Sequence, residues 1–533
     1  MNKPTAGVTA LHLAALALAV LVLYGGFLNN PYVYDDFQFF GKRHPEYLQK
    51  VVSFSTRWFP YASFEWTRQW FGESMFWLRM GNLLLHMTNG FLLYFFLRQL
   101  FVASLKPATT QAPPGGFTLY WLAFLGALWF MVTPAAAFGV AYLLQRTILM
   151  ATLFSLLTLV FFLRGLARQQ STWLWASAFA YLLATLSKEH AIMLPAVVLA
   201  LVLLLRAPGR ELALKLAPVF ALYSLIALFV VYQVSSGNVI GRAYEPQAEQ
   251  LLQGVDPRFR YPLSVMTQGH LFFQYLWLWL VPDPSLMAID VRADFATQFL
   301  TWPEMVGFVA FVAFGMCALI LLLQRGRIGL LGFAMVCPWL LFATEVATVR
   351  VQEIFVIYRS YLWMPWLAAA LPFVFQKLPA RYWVVPVLGV SMLLPLTWQR
   401  LSIFADPVAL WTEALNRAQR SDRPLGLWRI YHNRGAVLLD AGRYAEAIQD
   451  FDQGIRLQPG KSDFYNNRAF AYLKLYRYAE ALRDYNTTIR IEPGFALPYA
   501  GRAKVFEALG EAERARYDYA SACRLKYYPA CTP

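Results

Sequence analysis

The chain has 533 residues, 58% hydrophobic, 17% aromatic and only 14% charged, against about 25% charged in an ordinary soluble domain. Residues 401–533 hold 34 Asp, Glu, Lys and Arg and residues 1–400 hold 43. The reading is therefore a membrane part over 1–400 and a soluble tail, which excludes a soluble enzyme, a disordered chain and a disulfide scaffold. The net charge of +15 includes no basic run suited to a phosphate backbone, so it belongs to cytoplasmic loops and anionic membrane lipids, not to nucleic acid.

Apolar stretches long enough to cross a hydrocarbon core of about 30 Å lie near 9–28, 79–101, 118–133, 146–164, 172–187, 190–206, 215–235, 303–324, 328–345, 360–376 and 382–398, which predicts eleven spans. The first reads as a signal anchor, because its apolar run is long and no small-x-small site follows it. Loops alternate in charge. Arg98 and Lys106, Arg164 and Arg168, Arg206, Arg210 and Lys215, Arg325 and Arg327, and Lys377 and Arg381 form the basic set. The positive-inside rule puts that set in the cytoplasm. The N-terminus is then cytoplasmic, and an odd span count puts the tail outside. Two larger outer segments follow, 29–78 and 236–302. The second contains an apolar run from Leu271 to Val281 that parity forbids as a single crossing, leaving a re-entrant, an interfacial or a paired path.

Charges at membrane depth are costly and need a reason. Tyr34-Asp35-Asp36, just outside the first span, offers two carboxylates whose side chains project differently. One suits a general base while the other orients a loop or binds an arginine, and a solvated turn is the bland alternative. Asp36 is favoured slightly as the base, being farther from the span. Asn82, His86 and Asn89 fall on one helical stripe, either lining a cavity or bonding between helices. His86 has no companion at metal-ligand spacing, so no metal site is expected. Arg57, Arg146, Lys188 and Arg359 are outer cations that the topology rule does not explain. They suit the phosphate of a lipid headgroup, or else ion pairs with neighbours such as Glu189 and Glu353.

Residues 401–426 read as a linker, and 427–533 as three helix-pair repeats of period 34. Tyr431, Tyr465 and Tyr499 align, as do Gly435, Ala469 and Ala503; Ala447, Ala481 and Ala515; and Phe451, Tyr485 and Tyr519. This is the tetratricopeptide pattern, which offers a concave surface for a peptide or partner protein, or a platform for assembly. Cys523 and Cys531 are too far apart on a continuous helix to pair. Tyr528-Pro529 breaks the helix, which predicts a Cys523–Cys531 disulfide in an oxidising compartment.

Seven segments in order carry a wider resemblance: Tyr34-Asp35-Asp36, Arg57 to Pro60, Asn82 to His86, Pro134 to Arg146, Ser187-Lys188-Glu189, Tyr358 to Leu362 and Asp406 to Trp411. With the repeats, the chain resembles bacterial relatives of the transmembrane and tetratricopeptide-repeat O-mannosyltransferases of the GT-C glycosyltransferase superfamily. It differs in Thr133-Pro134, where the animal proteins usually have His-Pro, and in its shorter repeat array. The resemblance implies an all-α fold of GT-C type in the bacterial inner membrane with a periplasmic repeat domain. It also implies transfer of a sugar from a polyprenyl-phosphate donor, undecaprenyl in bacteria, to an acceptor hydroxyl. It maps the base to Asp35 and Asp36. Donor contacts are expected from Arg57, Asn82, His86, Arg146, Lys188, Glu189, Tyr358 and Arg359, with no further cofactor. The acceptor is expected to be a protein bound by the repeats. Alternatives are glycosylation of an envelope lipid or polysaccharide, and a non-enzymatic assembly scaffold.

Overall fold

The computed structural model describes residues 6–34, 36, 40, 56–105, 118–236, 248–351, 353–376, 379, 382, 384–420 and 426–531. Among them the regular elements are helices. The chain divides into two compact units: residues up to Asp406 without Asp290–Ala293, and Pro407–Pro533 with that short segment.

The first unit contains α1 (Ala6–Tyr24), α2 (Trp58–Phe71), α3 (Met75–Ser104), α4 (Leu119–Val132), α5 (Pro134–Ala141), α6 (Arg146–Arg168) and α7 (Ser171–Ser187). It continues with α8 (Leu194–Leu205), α9 (Arg210–Ser236), α10 (Pro257–Leu280), α11 (Glu304–Leu323), α12 (Gly326–Leu341) and α13 (Val384–Ala405). Among the described residues seven helices are long and apolar enough to cross a membrane, or eight if the bent pair α4–α5 counts as one span. Eleven uninterrupted spans were expected, and prolines explain part of the difference. Thr133 is extended (φ −74°, ψ 138°) before Pro134, as sterics before proline demand. The chain bends by 58° there, and the carbonyl freed at Val132 accepts from Thr397 Oγ1 at 2.6 Å. The expected span at 360–376 is not one helix. Two 3₁₀ segments, Ile357–Tyr361 and Pro365–Ala370, lead into the single turn Leu371–Phe375. Pro365 and Pro372 each lack the N–H that a continuous α-helix needs.

Part of the 236–302 segment, from Ala248 on, lies within the described residues. Helix α10 packs on α11, with Gly269 against Phe308 and Phe272 against Phe311 and Phe314. The chain then doubles back: Ala296 N–H donates to Thr267 Oγ1 at 3.0 Å. The apolar run from Leu271 to Val281 thus lies at the end of α10.

The second unit contains α14 (Pro407–Ala418), α15 (Leu427–Asp440), α16 (Tyr444–Leu457), α17 (Ser462–Lys474), α18 (Tyr478–Ile491), α19 (Ala496–Ala508) and α20 (Ala512–Arg524). The linker region is thus divided: 401–405 finish α13, and α14 packs on α15. Small residues bring paired helices together. A Cβ on Gly435 would lie 2.6 Å from the Phe451 ring, and Ala469 packs with Ala481 and Tyr485. Three ion pairs recur at the same period: Arg434–Asp450, Arg468–Asp484 and Arg502–Asp518, each with two contacts of 2.6–2.8 Å. The aspartates are 1–6% exposed, so removing one arginine strands a nearly buried charge. Arg468→Ala is expected to cost about 2–3 kcal/mol, read as a lowered unfolding midpoint of the full chain by circular dichroism. An unchanged midpoint would show that the column contributes nothing. Cys523 and Cys531 form a disulfide with Cα atoms 5.0 Å apart, and the Tyr528–Ala530 turn packs back on α20.

Candidate functional site

Several helix breaks of the first unit meet at one place. Residues 142–145 turn from α5 into α6. Lys188 leaves α7 in an extended conformation (φ −158°, ψ 129°), and a 3₁₀ turn, Glu189–Met193, leads into α8 with Pro195 in its first turn. Arg57 precedes α2 in the left-handed region (φ 68°). These turns, the end of α9 and residues 344–359 enclose a cavity of ≈ 580 Å³. Of the predicted residues, Arg57, Lys188, Glu189, Tyr358 and Arg359 line it, while Ile192, Val230 and Val234 give it an apolar side.

A chain of ion pairs runs round this cavity. Arg57 donates to Glu189 from Nε at 3.1 Å and from Nη2 at 2.5 Å. Glu189 lies 3.5 Å from His190 Nδ1, and His190 Nε2 bonds to Glu345 at 3.1 Å. Glu345 also accepts from Arg359 at 2.9 Å and lies 3.7 Å from Arg350. Arg359 donates its other nitrogen to Glu353 at 2.8 Å, and Tyr34 O–H reaches Glu353 at 3.4 Å. Among the described residues Arg57, Arg350 and Arg359 thus meet Glu189, Glu345 and Glu353. Lys188 stands outside that chain. Its ammonium sits 5.6 Å from the centre of the Tyr358 ring, and among the described residues it makes no hydrogen bond or ion pair. Burial, aided by the Arg57 guanidinium, pushes the Lys188 amine down to about 7. A buried cation without a partner is expensive, and an anion in the cavity would repay that cost.

Asp36 is placed otherwise than the sequence suggested. It is 0% exposed and is not among the cavity-lining residues. Its carboxylate accepts the amide N–H groups of Val33, Leu143 and Leu144 at 3.2, 3.4 and 2.9 Å. Burial pushes the Asp36 carboxyl up to about 7, against the pull of Arg79 and those amides. Such a value suits a general base, but geometry comes first. Asp36 fastens the 33–36 segment behind the turn that carries Leu144. Asp35 lies outside the described residues.

Arg146 does not join the other cations at the cavity wall. Its Nε donates to Asn82 Oδ1 at 2.9 Å, Nη2 to Leu78 O at 2.6 Å, and Nη1 to Ser63 Oγ and Thr67 Oγ1 at 3.1 and 3.4 Å. The guanidinium stacks 3.8 Å over Phe64. The stripe on α3 bonds between elements too. Asn82 Nδ2 donates to Leu143 O at 3.1 Å, and Asn89 Nδ2 to Leu149 O at 3.0 Å. His86 bridges Tyr361 O–H (2.7 Å) and Met131 O (3.0 Å). Asn82, His86 and Arg146 hold the helices whose ends form the cavity and do not line it. Glu345, Arg350 and Gln145 were missed from the sequence. Glu345 was legible as a carboxylate closing an apolar stretch. Among the described residues no group of three or more His, Cys, Asp or Glu is placed to hold a metal ion.

The comparisons with known proteins bear on the second unit. Residues 428–461 match the tetratricopeptide-repeat family. The second unit carries a tetratricopeptide repeat. Among solved structures, the chain is similar to the second tetratricopeptide-repeat domain of Spaghetti (RPAP3) bound to the HSP90 peptide SRMEEVD. The identity is 26% over 21% of this chain and 98% of that one, with a TM-score of 0.18. No curated protein matches the chain.

Proposed function

We propose that the first unit is an inverting, membrane-embedded glycosyltransferase of the GT-C type. It takes a sugar from a polyprenyl-phosphate carrier and gives it to a hydroxyl of a secreted or surface protein, and the repeats recruit that acceptor. The observation that carries this reading is Lys188, a buried amine without an ion pair among the described residues, in a cavity whose other wall is apolar. Such a cavity suits a lipid-borne phosphate, with Lys188, Arg57 and Arg359 around the charge and Ile192, Val230 and Val234 beside the chain.

Chain direction supports a periplasmic compartment for the cavity. The cavity gathers the start of α6 and the ends of α7, α9 and α12. Arg164 and Arg168, Arg206 and Arg210, and Arg325 and Arg327 lie at the opposite ends of those helices. The positive-inside rule makes those ends cytoplasmic. The cavity then faces the periplasm, and α13 carries the chain out to the same side as the repeats.

The reaction balances with one carboxylate. The acceptor O–H gives its proton to Asp35, the other carboxylate of the pair, because Asp36 is bonded to three backbone amides. The acceptor oxygen bonds to the anomeric carbon from the face opposite the carrier. The anomeric C–O bond breaks, and its electron pair leaves on the polyprenyl phosphate. Lys188, Arg57 and Arg359 stabilise the charge gathering there.

The Lys188 amine sets a pH dependence. Below about 7 it is protonated and attracts phosphate; above that value binding must first take up a proton. Donor affinity is therefore expected to fall as pH rises from 7 to 9, and Lys188→Arg should flatten the profile. Equal slopes in both proteins would remove Lys188 from donor binding. The reading as a whole is tested with the full chain in liposomes containing undecaprenyl-phosphate sugars, using envelope-protein extract as acceptor and lipid mass spectrometry as readout. Release of undecaprenyl phosphate supports it; carriers left intact by the wild-type chain contradict it.

A further inference from the structure

Gln145 lines the cavity yet is only 4% exposed, and its Oε1 has no hydrogen-bond partner among the described residues. A buried amide oxygen left unmatched is costly, so its persistence here needs a reason. The backbone around it is pinned from three sides. Leu143 and Leu144 donate to Asp36, Gln145 N–H donates to Tyr142 O at 3.0 Å, and Arg146 is fixed by its contacts to α2 and α3. The amide therefore stands on a rigid mount at the cavity wall. This is a different need from that of Lys188, which is a donor lacking an anion. Among the described residues the lining thus holds an amine without an anion at Lys188 and, closed off in the empty cavity, an amide oxygen without a donor at Gln145, beside the unmatched His190 Nδ1 and Thr348 Oγ1.

We propose that Gln145 is a specificity-determining residue that hydrogen-bonds a hydroxyl of the sugar on the carrier, while Lys188 meets the phosphate. The inference rests on the donor reading above and adds to it how the cavity tells a loaded carrier from a spent one. A hydroxyl fits because it donates and accepts. If the amide is turned so that its nitrogen takes the unmatched position, the same hydroxyl still satisfies it. A bare phosphate carrier offers the amide nothing at that position, so product leaves more readily than donor.

The test uses the full chain in nanodiscs and two kinds of probe: undecaprenyl phosphate alone, and undecaprenyl phosphate carrying glucose, mannose or galactose. Wild-type protein is expected to bind at least one loaded carrier about tenfold more tightly than the bare one. Gln145→Leu should bring that ratio close to one and leave the bare carrier's affinity unchanged. Gln145→Met, closer in shape, should do the same and guards against a variant that fails to fold. Lys188→Ala should weaken bare and loaded carriers alike. A wild-type ratio near one, or a preference that survives in both Gln145 variants, overturns the inference while the donor reading stands. Wild-type protein that binds no carrier, or Lys188→Ala that binds all of them as well as wild type, defeats the donor reading, and the inference with it.

Discussion

Asp35→Asn is expected to reduce sugar transfer by roughly 10²–10⁴-fold without lowering the unfolding midpoint, and Asp36→Asn is expected to lower the midpoint. The two neighbours are separable because their demands differ. Asp36 serves three amide donors with two oxygens. An asparagine keeps one oxygen and turns an NH₂ toward groups that also donate, leaving at least one buried N–H unmatched at about 1–3 kcal/mol. Arg79 would lose its nearby charge as well. It is buried and donates to the carbonyls of Asn30, Pro31 and Ala141. Transfer by Asp36→Asn should then fall only as far as folded protein is lost. Thermal unfolding and transfer rates measured on the same preparations check this. Wild-type transfer in Asp35→Asn, or a stable Asp36→Asn protein that has lost transfer, would reverse the assignment.

Lys188→Met should change stability and activity in opposite directions. Removing a group that stabilises the departing phosphate is expected to cost about 10²–10³-fold in kcat/KM. The same substitution removes a buried cation that has no ion-pair partner among the described residues, so the empty protein should gain on the order of 1 kcal/mol at pH 6, where the amine is still charged. As pH rises through about 7, the wild-type lysine loses its proton and that difference should shrink. A lysine that merely held the fold together would lose stability along with activity. Unfolding midpoints at pH 6 and pH 9, set beside kinetics, separate the two cases.

The repeats and most of the spans were legible because they rest on periodicity and run length. The period of 34 also carried the Arg434, Arg468 and Arg502 column, visible only once charged positions are aligned as carefully as aromatic ones. Proline effects were harder to see. A hydropathy window over 360–376 averages across Pro365 and Pro372 and reports one span where the chain makes short turns. The cations show the deeper limit. Arg146, Lys188 and Arg359 stood out as charges at span ends and Arg57 as one in the first outer loop, but their surroundings depend on contacts with residues far away in sequence. Arg146 meets Asn82, Ser63 and Leu78, while Lys188 meets no acceptor among the described residues. Nothing within a few positions of either residue announces that difference. Asp36 is similar: its occupation by Leu143 and Leu144 bridges more than a hundred residues.

The proposed activity is transfer of sugar onto exported proteins. Its most direct test is intact-mass comparison of envelope proteins from cells carrying the wild-type chain, no chain, or Asp35→Asn. The account predicts at least one protein heavier by a whole number of sugar residues in wild-type cells only. Identical protein masses in all three would contradict it, and a sugar-sized shift confined to envelope lipids would place the acceptor there instead.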